Sequence, residues 1–185
     1  MNNYSIFAYK SIYIYMKYFA VFLISFFTIF LSYSYAQQQP DTGELECKKV
    51  KFIYDTAMHN YLRIKVGENT DAVVKLVDKA KEKTIRIVYI RAGQQFDVIN
   101  IPTGRYYVKI AYGKNWIFTS EKNCEGEFKE KAIYKQSKQM FDFKKIKVKD
   151  GYQIANFELT LDMKIEEGSG ETMKNLPITK EQFNK

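Results

Sequence analysis

"FDVINIPTGRYYVKIAYG", residues Phe96–Gly113, is the stretch whose alternation decides the fold. Phe96 and Val98 take one side and Asp97 and Ile99 the other, up to Ile101-Pro102-Thr103-Gly104. Pro102 presets its own φ for a turn, and Gly104 supplies a positive φ or a tight exit. Beyond the turn Tyr106, Val108, Ile110 and Tyr112 share a face, with Tyr107, Lys109 and Ala111 on the opposite one. Period-two alternation carried by β-branched and aromatic residues marks half-buried strands. The stretch therefore predicts two antiparallel strands around a tight turn.

The same period extends outward in both directions. "KVKFIY" (49–54) and "YLRIKV" (61–66) alternate, and "AVVKLV" (72–77) is apolar on both parities, as an interior strand would be. "TIRIVYI" (84–90) alternates again, "NWIFT" (115–119) predicts a further short strand, and "FKEKAIY" (128–134) permits a strand or a helical turn. In "QMFDFKKIKVKDG" the apolar parity switches between Phe141/Phe143 and Ile146/Val148, which predicts a bulge or sheet crossing near Lys144-Lys145, before a hairpin turn at Asp150-Gly151. The last strand sets Phe157, Leu159, Leu161 and Met163 against Glu158, Thr160, Asp162 and Lys164. About nine short strands and no amphipathic helix of any length predict an all-β fold, a two-layer antiparallel β-sandwich. It spans 47–165, after a polar lead-in over 37–46 and before a disordered, flexible tail over 166–185.

Residues 1–36 differ from everything that follows: they hold Lys10 and Lys17 but no acidic residue, and Tyr18–Tyr35 is almost wholly apolar or aromatic. A basic start, an apolar centre and Ser34-Tyr35-Ala36 are the parts of a signal peptide, here an N-terminal signal helix with cleavage between Ala36 and Gln37. Met16 is an alternative start. An uncleaved leader would instead tether a periplasmic sandwich to the inner membrane, since the apolar run lies near the lower limit for a span. Either way the chain is exported, to the periplasm, the outer envelope or the exterior.

After the leader, 27 basic side chains stand against 21 acidic ones, about +6. The densest cationic run, 129–149, holds eight lysines, with Glu127, Glu130 and Asp142 in or beside it. Nucleic acid would need a continuous basic face, so a solvated strand face with lysines guarding its edges fits better. An anionic partner, lipid headgroups or acidic glycan, is the other reading. Cys47 and Cys124 are the two cysteines and His59 the single histidine, so no metal or cofactor is expected. An oxidising compartment would join the cysteines across 77 residues; two buried free thiols are the alternative.

The segment Ala72–Gly113 resembles the carboxypeptidase regulatory-like domains, also called transthyretin-like, and their collagen-adhesin B-type relatives. The likeness rests on "VVKLVD", "TIRIVYI", Gly93, Phe96, Ile101-Pro102-Thr103-Gly104 with Tyr106, and Tyr106-Tyr107-Val108-Lys109-Ile110. It departs from them in the connector "DKAKEK", which lacks the usual glycine-rich turn, and in the strands beyond Lys114. The resemblance implies a prealbumin-like or immunoglobulin-like sandwich and no catalysis. The whole chain is also similar to small secreted proteins of Bacteroidota, whose short O-glycosylation signal would fit Asp55-Thr56-Ala57, with Thr56 as the acceptor.

Catalytic signals are sparse. His59 sits in "DTAMHN" with no nucleophile context beside it, and "GSG" at Gly168 follows the wrong element for a phosphate loop. Asp97, Glu158 and Asp162 are the scattered carboxylates from which a carbohydrate-active or other hydrolase would be built. Tyr107, Tyr112 and Trp116 would form an aromatic platform for a sugar or peptide, if they are not core. The expected function is a non-enzymatic binding or assembly module contacting a protein or glycan of the envelope, with a membrane met only through an uncleaved leader.

Overall fold

The chain divides into Met1–Gln38 and Gln39–Lys185. A computed structural model describes residues 39–48, 50–162 and 175–185, together with Phe19. The leader, its alternative start at Met16, the Ala36–Gln37 cleavage site, and Met163 and Lys164 lie outside the described residues.

Among the described residues of the second unit are twelve strands and one short helix. They are β1 (Gly43–Glu44), β2 (Tyr61–Val66), β3 (Asp71–Asp78), β4 (Lys83–Ile90), β5 (Gln95–Ile99), β6 (Gly104–Ser120), β7 (Glu125–Ser137), β8 (Phe141–Phe143), β9 (Lys145–Val148), β10 (Gly151–Ile154), β11 (Phe157–Leu161), β12 (Asn175–Pro177) and α1 (Lys180–Asn184). The large sheet runs β1-β4-β3-β6-β7-β12, with β8 also on β6. The small sheet runs β11-β2-β5, and β9 pairs with β10 alone. The expected two-layer sandwich is therefore present, antiparallel except where β11 lies parallel to β2.

Alternation explains the first core. Leu62, Ile64 and Val66 from β2, Ala72, Val74 and Leu76 from β3, and Tyr106, Val108, Ile110 and Tyr112 from β6 pack between the sheets. The opposite parity of the central strands builds a second core on the far side of the large sheet, from Val73, Ile87, Tyr89, Ala111, Trp116 and Phe128. Leu45 and Phe183 are buried in this second core, with Cys47, Val50, Phe52 and Ile178 packed against it. "AVVKLV" is apolar on both parities because β3 is covered on both faces.

Several expectations change. Residues 50–54 carry no strand but lie as an irregular cover. "NWIFT" is no separate element: β6 continues to Ser120, with register shifts between Tyr112 and Lys114 and between Phe118 and Ser120. Gly113 sits at the first shift because β7 passes so close that a Cβ would collide with the Phe128 side chain. The chain leaves the large sheet at Lys144, as the parity switch suggested, but Ile146 and Val148 emerge exposed rather than buried. The turn that follows is Lys149-Asp150, with Val148 opposite Gly151.

The tail is corrected most. Residues 163–174 lie outside the described set, but 175–185 are not a flexible end. β12 pairs with β7, and α1 begins at a capping box in which Thr179 and Gln182 exchange hydrogen bonds. Phe183 is fully buried, a contribution of about 1.5–3 kcal/mol from its apolar area.

Candidate functional site

The aromatic platform does not exist as a surface. Tyr107, Tyr112 and Trp116 are all buried. Tyr112 points between the sheets and Trp116 into the second core, because the shift at Gly113 reverses the parity of β6. Trp116 packs edge-on to Phe128, 4.9 Å between centroids, and its backbone N–H donates to Gln39 Oε1 at 2.7 Å. Tyr107 donates its hydroxyl to Glu82 Oε2 at 2.7 Å, and burial followed by that carboxylate pushes its pKa well up. These side chains hold the sheet rather than meet a ligand. The glycine between Tyr112 and Trp116 was the signal that they part company.

The carboxylates are partly gathered. Register places Asp97 of β5, Arg63 of β2 and Glu158 of β11 in one row across the outer face of the small sheet. Two strand steps separate the acids, about 10 Å between Cα atoms. Arg63 Nε and Nη2 grip both Asp97 oxygens at 2.9 and 2.7 Å, and Lys65 Nζ pairs with Glu158. The Arg63 hydrogen bond holds the Asp97 carboxyl below the usual carboxylate range. A glycosidase acid needs the opposite shift. Asp162 lies apart from the row, against Gly67, where a Cβ would meet its Cγ at 2.8 Å.

A polar cavity of about 230 Å³ was not foreseen. Lys75, Glu82, Lys83, Thr84, Asn123 and Glu125 are among its lining residues. Lys75 Nζ donates to Phe183 O at 2.9 Å and stands 4.6 Å above the Phe183 ring. Desolvation, then repulsion from Lys109, lowers its pKa to about 8. Its amine is committed to the helix carbonyl, so its chemistry here is anchorage of α1. A lone lysine inside a run apolar on both parities was the available clue.

His59 is exposed, with φ 45, beside the turn that also exposes Thr56, where Ala57 N–H donates to Asp55 Oδ1 at 3.1 Å. Among the described residues no group of three or more His, Cys, Asp or Glu could hold a metal ion. The lysine run does not form one face: Glu127 pairs with Lys129 and Lys180, and Lys144 with Asp142, each at 2.7 Å. Cys47 and Cys124 are bonded, with Cα atoms 5.4 Å apart, which decides between the two alternatives left open by the sequence.

These features define a disulfide-bridged β-sandwich whose large sheet is covered on both faces. Comparison with family models, with curated proteins and with solved structures finds no match in any of the three.

Proposed function

We propose that the chain is an exported, non-enzymatic β-sandwich that serves as a binding or assembly module in the periplasm, the envelope or outside the cell. It would meet a protein or glycan through its loops and sheet edges. The observation that carries this reading is where the polar chemistry goes. Asp97 is tied to Arg63, Glu158 to Lys65, Tyr107 to Glu82 and Lys75 to a helix carbonyl, while Tyr54 and Ile99 stand exposed. The Cys47–Cys124 bridge supports an oxidising compartment. The relation to transthyretin-like domains belongs to this proposal, as do leader cleavage and glycosylation of Thr56, whose exposed turn suits a modifying enzyme.

The test uses the protein isolated from its own envelope fraction or medium. A mature chain that begins at Gln37 supports export with cleavage; a chain recovered from the cytosol with reduced cysteines overturns the reading. A photocrosslinker at Ile99 should yield a defined adduct in intact cells, whereas one at Lys81, in the β3–β4 turn, should not. Neutralising Asp97, Glu158 and Asp162 together should leave that adduct unchanged. A hydrolytic activity that disappears with the triple variant would establish the enzyme reading instead.

A further inference from the structure

β9 and β10 hydrogen-bond to each other and, among the described residues, to no third strand, and seven of their eight residues are exposed. Ile146, Val148 and Tyr152 are 49, 43 and 59 % exposed. A two-stranded ribbon is marginal by itself in water, and outward apolar side chains add nothing to its stability in the isolated molecule. Register places Ile146 and Val148 on one face and Lys145, Lys147 and Tyr152 on the other, with Lys149-Asp150 at the tip. Residues 144–154 carry four lysines against one aspartate. Lys144 is paired with Asp142, and Lys145 sits 4.6 Å above the Tyr152 ring and donates from Nζ to Ala57 O at 3.3 Å, so it tethers the base of the ribbon to the body. Among the described residues no carboxylate pairs with Lys147 or Lys149.

We propose that this ribbon is a wedge for an anionic lipid surface, entering it tip first. Val148 leads on one face, and Tyr152, opposite Lys147 and one residue farther back on the other face, follows it to the acyl boundary. Ile146 follows about 7 Å behind, within the 5–10 Å or so over which interfacial segments bury their apolar side chains. Lys145 then lies among the headgroup phosphates, and Lys147, opposite Tyr152, and Lys149, at the tip, return their ammonium groups to that level along their aliphatic stems, each worth about fivefold in partition. Lysines that only guard an edge would account for the charge but not for three apolar side chains turned outward beside it. A second copy adding to the free edge of β10 would bring two sets of like charges together. The wedge goes beyond the envelope-partner reading, because it names a surface and is measured on vesicles whether or not the chain is exported.

Both native cysteines are bonded, so Val148→Cys in the full chain carries a unique thiol for an environment-sensitive fluorophore. Buried Trp116 reports in the same sample that the fold is intact. The label should shift to the blue on equimolar phosphatidylglycerol–phosphatidylcholine vesicles and not on phosphatidylcholine alone. The shift should vanish when salt cuts the screening length to about 4 Å. An apolar leader that inserts would hold the chain on both vesicles, so the dependence on anionic lipid is the readout. Lys145→Gln with Lys147→Gln and Lys149→Gln should lower the label's preference for anionic over neutral vesicles about 100-fold. Ile146→Ser with Tyr152→Ser should remove the blue shift, and a label at Lys81→Cys should stay unchanged. No shift on anionic vesicles, an equal shift on neutral ones, or an unaltered preference for anionic lipid in the lysine variant overturns the wedge. So does a shift that grows with protein concentration alone, which would assign the ribbon to a second copy.

Discussion

Lys75 is the residue at which local pattern and global packing conflict most. β3 needs apolar side chains on both faces, yet a lysine stands in its middle, under α1. Its pKa is about 8 when folded against 10.5 as the ordinary value, so the unfolded chain binds the extra proton between those limits. Stability should therefore rise with pH through that window and carry a penalty below about pH 8. Between pH 7 and 9.5 the wild type should gain about 2 kcal/mol relative to Lys75→Met, read from urea unfolding of both chains. Parallel pH profiles would remove the buried-amine account. Part of this scale was legible: the parities of β2 and of Tyr106–Tyr112 were as the letters suggested. Trp116 was not, because the shift at Gly113 depends on how close β7 comes, which is a contact between strands rather than a property of β6.

Among the elements, the least legible were the covers. In the first, residues 50–54 alternate as a strand would but carry none, and in the second 175–185 have little periodicity; each places a few side chains on one face of a sheet that already exists. Phe183 in "EQFNK" gives no sign of burial to a local reading, yet it is the buried residue of the helix that Lys75 anchors through the Phe183 carbonyl. The disulfide ties the first cover to the β6–β7 connection over 77 residues. Chain-entropy arguments assign such a crosslink about 4 kcal/mol. Cys47→Ser with Cys124→Ser, or reduction, should lower the urea midpoint accordingly and redden Trp116 emission as the second core loosens. An unchanged midpoint would mean that the cover holds without the bridge. β9 and β10 show the converse: their alternation was plain, but among the described residues no sheet lies behind them, and Ile146 and Val148 are exposed.

For the molecule as a whole, pH acts at both ends. Asp97 is held below the ordinary range by Arg63, and Glu127 is drawn down to about 2 by Lys129 and Lys180. Depressed carboxylates lend stability above their unfolded values and lose it as pH falls through the folded ones. Thermal stability should therefore fall steadily below about pH 4.5, and Asp97→Asn should flatten part of that slope, by less than about 1 kcal/mol for so exposed a pair. An identical acid profile in the variant would show that the Arg63–Asp97 bridge contributes nothing measurable.

By itself the sequence determined the all-β class, the faces of most strands and the need to cover both sides of β3, because alternation is a local property with a period of two residues. Only the tertiary structure decided which segments supply the second cover, that β11 runs parallel to β2, and that the cysteines meet. It also decided that the three candidate aromatics are core while the β9–β10 ribbon, among the described residues, joins no other strand. Those outcomes depend on which distant strands become neighbours, and no spacing within a single strand records that.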